Sequence, residues 1–371
     1  MDEGRDRTTK SSWATQATAD PDEIRQRYDA WLTASGRGGR VAELHAPEGT
    51  GYSSLTFLID VERDGELTRE VLRSVPSGET VFQTYDLALQ VACMRNLADV
   101  IPTPTVLAHV EDPSVLGAPF YVMANVEGRI PGDNPPYPLV GWLHDEAPEV
   151  QAAHYANGMD VLATLSGIRP ADVGLADHLE RPELGATGTD QQVRWWKDLL
   201  AWGRDGTDQP TIDAAIEWLD DNRPADPGRD GIVWGDARIS NMVFEVDGTP
   251  KAVLDWEMAG TGPGEIDLAW YLWMDRQFTT VYDAPRLPGF PGEDQLVARW
   301  ERGAGVTAQD LDWYLAFAGI RFSITIMRIG IRSIAEGKLP ADSDAYRNHL
   351  GTRLLARQLD LEPPGDIGLL G

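Results

Sequence analysis

The chain has 371 residues, 42% of them apolar and 25% charged, so it can build a large core and two or three domains. Its 32 basic and 59 acidic side chains give a net charge of −27, which argues against a nucleic-acid backbone or an anionic membrane as its main partner. One cysteine, Cys93, excludes an internal disulfide and a thiolate zinc cluster. The polar first 20 residues show no hydrophobic leader, and no apolar run approaches the roughly 18 residues that span a bilayer. A soluble, cytoplasmic protein is the expectation. The acidic surplus has two readings: a solubilising surface, or a cleft that attracts a cationic substrate. Lysine is confined to Lys10, Lys197, Lys251 and Lys338.

Residues 1–20 read as a mobile tail. Pro21, Asp22 and Glu23 open a helix that runs to Trp31. From 41 to 75 the pattern turns to strand. Residues 55–61 and 67–74 form a hairpin about the turn Arg63-Asp64-Gly65-Glu66. Residues 85–97 have helical spacing, broken by Ile101-Pro102-Thr103-Pro104. Residues 120–123 are a short apolar strand. A loop follows, carrying Pro131, Pro135, Pro136 and Pro138. Beyond it the chain is mostly helical, at 149–165, 191–202, 211–222, 265–275 and 310–336. One hairpin interrupts it, 242–245 with 252–256 about Asp247-Gly248. The layout is α+β: a small β-rich lobe over 21–124 and a large helical lobe over 125–371, with ligands expected between them.

The segment that carries chemistry is Trp234-Gly235-Asp236-Ala237-Arg238-Ile239-Ser240-Asn241, followed by Leu254-Asp255-Trp256. Asp236 and Asn241 have D-x-x-x-x-N spacing. In that arrangement the aspartate takes a hydroxyl proton and the asparagine holds a magnesium ion. The hairpin returns Asp255 as a third oxygen ligand, and such oxygens suit magnesium. The histidines lack H-E-x-x-H spacing, and no Gly-x-Ser-x-Gly elbow is present, so zinc-hydrolase and serine-hydrolase chemistry are disfavoured.

These residues resemble the aminoglycoside phosphotransferase family, small-molecule kinases of protein-kinase-like fold. Trp234-Gly235-Asp236…Asn241, Leu254-Asp255-Trp256-Glu257 and Asp267-Leu268-Ala269-Trp270 carry the resemblance. So do Glu70-Val71-Leu72-Arg73 and Gly117 to Met123 with Val126-Glu127-Gly128. The branch it is most similar to is the kinase domain fused to some acyl-CoA dehydrogenases. The resemblance implies a two-lobed kinase using ATP, with GTP as the alternative, and Mg2+. The phosphoryl acceptor would be a small-molecule hydroxyl. It makes Asp236 the catalytic base and Asn241 and Asp255 the metal ligands. Gly51, Ser53 and Ser54 of a Gly-rich loop would cover the phosphates. Met123, Asn125 and Val126 would form the interlobe linker against adenine, and Arg238 and Asp267 would support the site.

Three departures stand out. No lysine lies where the family's phosphate-binding lysine is expected. Arg73 sits there, with Arg69 on the same strand face as its competitor. The partner glutamate's place falls near Gln90, with Asp86 as the alternative. Trp234 stands where the family usually has histidine, and Pro263 replaces an acid. The competing reading is a nucleotide-binding pseudokinase or sensor. Asp133, Asp145, Glu146 and Glu149 near the expected cleft would favour a cationic acceptor.

Overall fold

The fold is described from a computed structural model, over residues 20–45, 55–76, 80–226, 228–281 and 284–365. Helix α1 (Pro21–Ala34) starts at the Asp20 cap and buries Ile24, Tyr28 and Leu32 on one face. It leads into a five-stranded antiparallel sheet of β1 (Arg40–His45), β2 (Leu55–Arg63), β3 (Glu66–Ser74), β4 (Val106–Val110) and β5 (Phe120–Ala124). The order is β1-β2-β3-β5-β4. Asp64 and Gly65 both adopt positive φ, 52° and 85°, the geometry that a tight two-residue hairpin requires.

Period-two alternation gives this sheet two buried faces. Phe57, Ile59, Leu72, Phe120 and Val122 pack beneath α1 in one core. Val71, Tyr121 and Met123 point the other way, into a core shared with helix α2 (Leu87–Asn96) and continuous with the helical lobe. The side that carries Arg73 is therefore the side that faces the rest of the molecule.

The helical lobe comprises α3 (Trp142–Asp145), α4 (Pro148–Ser166), α5 (Ala176–Leu179), α6 (Gly188–Gly203) and α7 (Pro210–Asp221), then α8 (Glu265–Val281), α9 (Glu293–Ala304), α10 (Leu311–Ala335) and α11 (Leu350–Leu359). Two small ladders lie between α7 and α8. Strand β6 (Asp230–Val233) pairs with β9 (Gly260–Pro263), and β7 (Met242–Phe244) pairs with β8 (Pro250–Val253). Helix α6 begins earlier than expected because Thr187 and Asp190 form a capping box. Strand β9 has the sequence Gly-Thr-Gly-Pro, which reads as a turn; its register against β6 makes it a strand. Strand β4 is half-buried at every residue and so lacks the alternation that announces a strand.

Helix α10 corrects one expectation. Its 25 residues are long and apolar enough to cross a membrane by length and composition, yet 78% of the most apolar window is buried inside the protein. It packs on α8, α11, α7 and α6, and carries the buried Arg321, Arg328 and Arg332.

Glu70 is 3% exposed on the α1 side of β3, where it accepts from Tyr28 Oη at 2.5 Å and from Arg63 at 2.8 Å. Tyr28→Phe leaves one oxygen of this carboxylate without its donor. It should cost about 1–3 kcal/mol in urea unfolding. In that background Glu70→Gln should not cost as much again. Unchanged stability in Tyr28→Phe would show that this pair does not hold α1 on the sheet.

Candidate active site

The Asp236 loop is built on a buried carboxylate. Asp267, on the first turn of α8, accepts the backbone N–H groups of Trp234 at 2.6 Å and Gly235 at 2.9 Å. Burial raises its carboxyl pKa to about 6, against the pull of these two amides. Arg321 of α10 closes the loop from the other side by donating to the Gly235 carbonyl at 2.6 Å. Gly235 has φ of 93°, and a Cβ there would lie 2.2 Å from the Met258 carbonyl oxygen, so only glycine fits. Together these contacts fix the backbone that leads into Asp236.

The Asp236 carboxylate has three donors. Trp270 Nε1 reaches Oδ1 at 3.0 Å; Asn241 Nδ2 and Arg238 Nε reach Oδ2 at 2.7 and 3.0 Å. Asn241 also donates to the Asp236 carbonyl at 3.1 Å, closing the D-x-x-x-x-N loop on itself. Arg238 extends past Asp236 to pair with Asp133, so one guanidinium bridges two carboxylates. Burial would favour loss of the Arg238 proton, but Asp133 and Asp236 outweigh it and hold the group firmly charged. Asp133 is shifted upward by burial, opposed by Arg238.

Asp255 is brought to the same place by the β7–β8 hairpin. The Leu254 N–H donates to the Asn241 carbonyl at 2.9 Å, which ties the two candidate ligands together. Asp255 holds φ of 62°, an uncommon left-handed conformation for a non-glycine residue and one that clusters at functional sites. Its Oδ1 is buried and has no hydrogen-bond partner among the described residues; Arg73 Nη1 lies 3.1 Å away as a charge contact. Asp255 Oδ1, a buried carboxylate oxygen whose charge contact is Arg73, is a hard oxygen of the kind a divalent cation takes.

Arg73 and Arg69 separate clearly. Arg69 is clamped by Asp60 across the hairpin at 2.7 and 2.8 Å, on the exposed surface. Arg73 is 8% exposed and spans from β3 to Asp255 of the other lobe. Burial would lower its pKa, but Asp255 reverses the effect and keeps the cation. The expected partners of this arginine are corrected. Asp86 caps α2, accepting from the Leu89 N–H at 2.8 Å. Gln90 is 1% exposed and accepts from Tyr121 Oη at 3.1 Å. The arginine's ion-pair partner is thus Asp255, not a group on α2.

The linker is also corrected in part. Met123 lies inside the sheet, paired with Val71 on one side and Val106 on the other. The Asn125 N–H is taken by the Arg69 carbonyl at 3.2 Å. Among the described residues no backbone partner is found for the Val126 N–H, so of the three it is the one available to a ligand. Gly51, Ser53 and Ser54 lie outside the described residues.

Trp234 stands where the resemblance leads one to expect a histidine. It is wholly buried, and its Nε1 donates to the carbonyls of Leu254 at 2.9 Å and Asp255 at 3.2 Å. The acidic stretch after the linker is less bare than its sequence suggests. Asp133 is paired with Arg238, Glu146 with Arg129, and Asp145 contacts His144. Trp270 and Arg321 are the members of this site whose placement the sequence alone did not reveal, as is the pairing of Asp133 with Arg238. Trp270 falls in a recognisable stretch, but Arg321 lies in a helix that reads as plain core.

Comparison with known proteins agrees with this geometry. Residues 46–314 match the model of the phosphotransferase enzyme family. A protein of Arabidopsis thaliana named as a probable acyl-CoA dehydrogenase is 33% identical over 230 residues, covering 60% of this chain and 27% of that protein. Acyl-CoA dehydrogenase family member 11 of Gallus gallus is 28% identical over 284 residues, 72% of this chain and 34% of its own length. The chain thus spans about a third of the curated relatives it matches. Among solved structures, a Ralstonia eutropha chain provisionally named an aminoglycoside phosphotransferase superposes with a TM-score of 0.64 at 23% identity, over 90% of this chain and 96% of that one. Macrolide 2'-phosphotransferase MphH of Brachybacterium faecium gives 0.53 at 19%, over 91% and 100%. These two likenesses establish the two-lobed, kinase-like fold. With the family match spanning most of its length, the chain belongs to the phosphotransferase enzyme family.

Proposed function

We propose that this phosphotransferase moves the γ-phosphoryl group of ATP, with GTP as the alternative donor, to a hydroxyl of a small molecule. The nucleotide lies between the lobes. Asp236 is the catalytic base, and Asn241 and Asp255 are the magnesium ligands. The observation that carries this reading is the convergence of Asp236, Asn241 and Asp255 through the 2.7 Å Asn241–Asp236 bond and the 2.9 Å Leu254–Asn241 bond. One solved neighbour of this fold, an aminoglycoside phosphotransferase, is a ternary complex with ADP and hygromycin B, which supports a nucleotide and a small hydroxylated acceptor as the two ligands.

In this mechanism the chain positions groups and neutralises charge. Asp236 Oδ2 orients the acceptor hydroxyl and takes its proton as the oxygen attacks phosphorus in line. The side chain cannot rotate away, because its other oxygen is held at 3.0 Å by Trp270. Magnesium, when bound, neutralises phosphate oxygens of the nucleotide. Arg73 supplies the cation that lysine supplies elsewhere in the family, and its planar fork suits phosphate oxygens. Val126 offers its backbone N–H to the base.

Asp133 and Glu146, two of the four acids that would favour a cationic acceptor, are neutralised by Arg238 and Arg129. What the site requires of its acceptor is a hydroxyl that reaches Asp236. The intact Asp236, Asn241 and Asp255 likewise stand against a sensor without transferase chemistry.

Asp236→Asn should retain MgATP binding and lose about 10²–10⁴-fold in turnover, the usual contribution of a positioned base. Calorimetric titration paired with coupled ADP release checks both halves. Turnover near wild type with a confirmed acceptor would remove Asp236 from the chemistry.

Arg73→Ala should raise the apparent MgATP constant and lower turnover, whereas Arg69→Ala should leave both within about twofold, since Arg69 engages Asp60 at an exposed site. Steady-state kinetics on the two variants decides it. A larger defect in Arg69→Ala would mean that the phosphate-binding cation is not Arg73.

A further inference from the structure

We propose that Trp270 and Arg321 act in series as positioning residues for Asp236, a role that rests on the phosphotransferase reading above. The two oxygens of Asp236 have different surroundings. Oδ2 meets the polar groups Asn241 and Arg238, while Oδ1 is held by the indole N–H of Trp270, itself 3% exposed on α8. The indole therefore selects which oxygen faces the acceptor. It also fixes the carboxylate plane from the core side, where no substrate can compete for the bond.

Behind Trp270 lies Arg321, which is 0% exposed. Its guanidinium carbon is 4.6 Å from the Trp270 ring centroid and 5.2 Å from that of Trp196. It donates to the Gly235 carbonyl at 2.6 Å, one residue before the base. Asp267 and Asp236 are the anions whose charge it feels. Nε and Nη1 have no hydrogen-bond partner among the described residues. Burying a guanidinium with two unmet donors is costly, and an apolar residue would fill the space between two tryptophans more cheaply. What the arginine adds is a cation on the π face of Trp270. It draws electron density from the indole and strengthens the N–H bond to Asp236 Oδ1. The same side chain fixes the peptide that carries Asp236. One residue thereby sets both the backbone and the rotamer of the base.

The test uses the whole chain, with MgATP as the probe and water as the acceptor, so that ATP becomes ADP and inorganic phosphate. The variants are Trp270→Phe, which keeps the ring and removes the donor, Arg321→Met, Arg321→Lys and the double Trp270→Phe/Arg321→Met. Melting temperature and the MgATP dissociation constant are measured beside kcat and KM. Trp270→Phe should lower kcat about tenfold, with KM and the dissociation constant within about twofold of wild type. The double variant should lose less than the product of the two single losses, because both act on one carboxylate. Arg321→Lys should recover part of the loss through its charge. If Arg321→Met does not fold, Trp270→Phe and Arg321→Lys still decide the matter.

Wild-type kcat in Trp270→Phe would overturn the inference. So would losses in kcat that simply multiply in the double variant, or that track a rise in KM. Absence, in the wild type itself, of both MgATP hydrolysis and phosphoryl transfer to a pooled set of small hydroxylated metabolites would instead count against the functional reading on which the inference stands.

Discussion

Everything at this site depends on Asp267. A carboxylate 2% exposed takes two consecutive backbone N–H groups, Trp234 and Gly235, and so sets the start of the Asp236 loop relative to α8. Burying a charge this deeply is unfavourable, and burial indeed drives its pKa up to about 6. The compensation is local: two amides point at it, and the Arg321 guanidinium sits on the next carbonyl. Because α8 also carries Trp270, the helix that anchors the loop backbone holds the Asp236 side chain as well. A shift of α8 would therefore move base and loop together and leave their mutual geometry intact.

The lobes are joined at the site by a second pairing, Arg73 with Asp255. Arginine at a position where the family has lysine changes more than reach. A guanidinium carries several fixed N–H donors, so it can keep one on Asp255 and offer another to a phosphate. It is also less strongly hydrated than an ammonium, which makes its burial at 8% exposure easier to sustain without a helix glutamate. Gln90 then needs no charge: it hydrogen-bonds Tyr121, which borders Arg73 on the neighbouring strand. The loss of the lysine–glutamate pair is thus matched by a coherent rearrangement of Arg73, Tyr121, Gln90 and Asp255.

Much of this was legible in the sequence where local rules decide. The β2–β3 hairpin follows from alternation and the Asp64-Gly65 turn. The β7–β8 hairpin follows from Asp247-Gly248, and the D-x-x-x-x-N spacing placed Asp236 beside Asn241. The parts that were not legible depend on contacts distant in sequence. Strand β9 is recognisable only by its register with β6, and the buried arginines of α10 lie in a helix whose sequence shows its apolar length but not what Arg321 faces. Gln90 and Asp86 looked like partners of Arg73 by helix position, yet one turned to Tyr121 and the other became a cap. Acidic charges between 133 and 149 looked like an attraction for a cationic acceptor, but Arg238 and Arg129, far apart in the chain, neutralise two of them. Sequence shows which residue types are present; which charge faces which is settled by tertiary packing.

The most direct test of the account is a phosphorus NMR time course. The purified chain is given MgATP and a pooled set of small hydroxylated metabolites, beside an Asp255→Asn control. The account predicts a new phosphomonoester resonance that grows as the γ-phosphate of ATP declines, and that depends on both magnesium and Asp255. A protein that binds MgATP but yields only inorganic phosphate and ADP, or a phosphomonoester that forms equally well in Asp255→Asn, would contradict it.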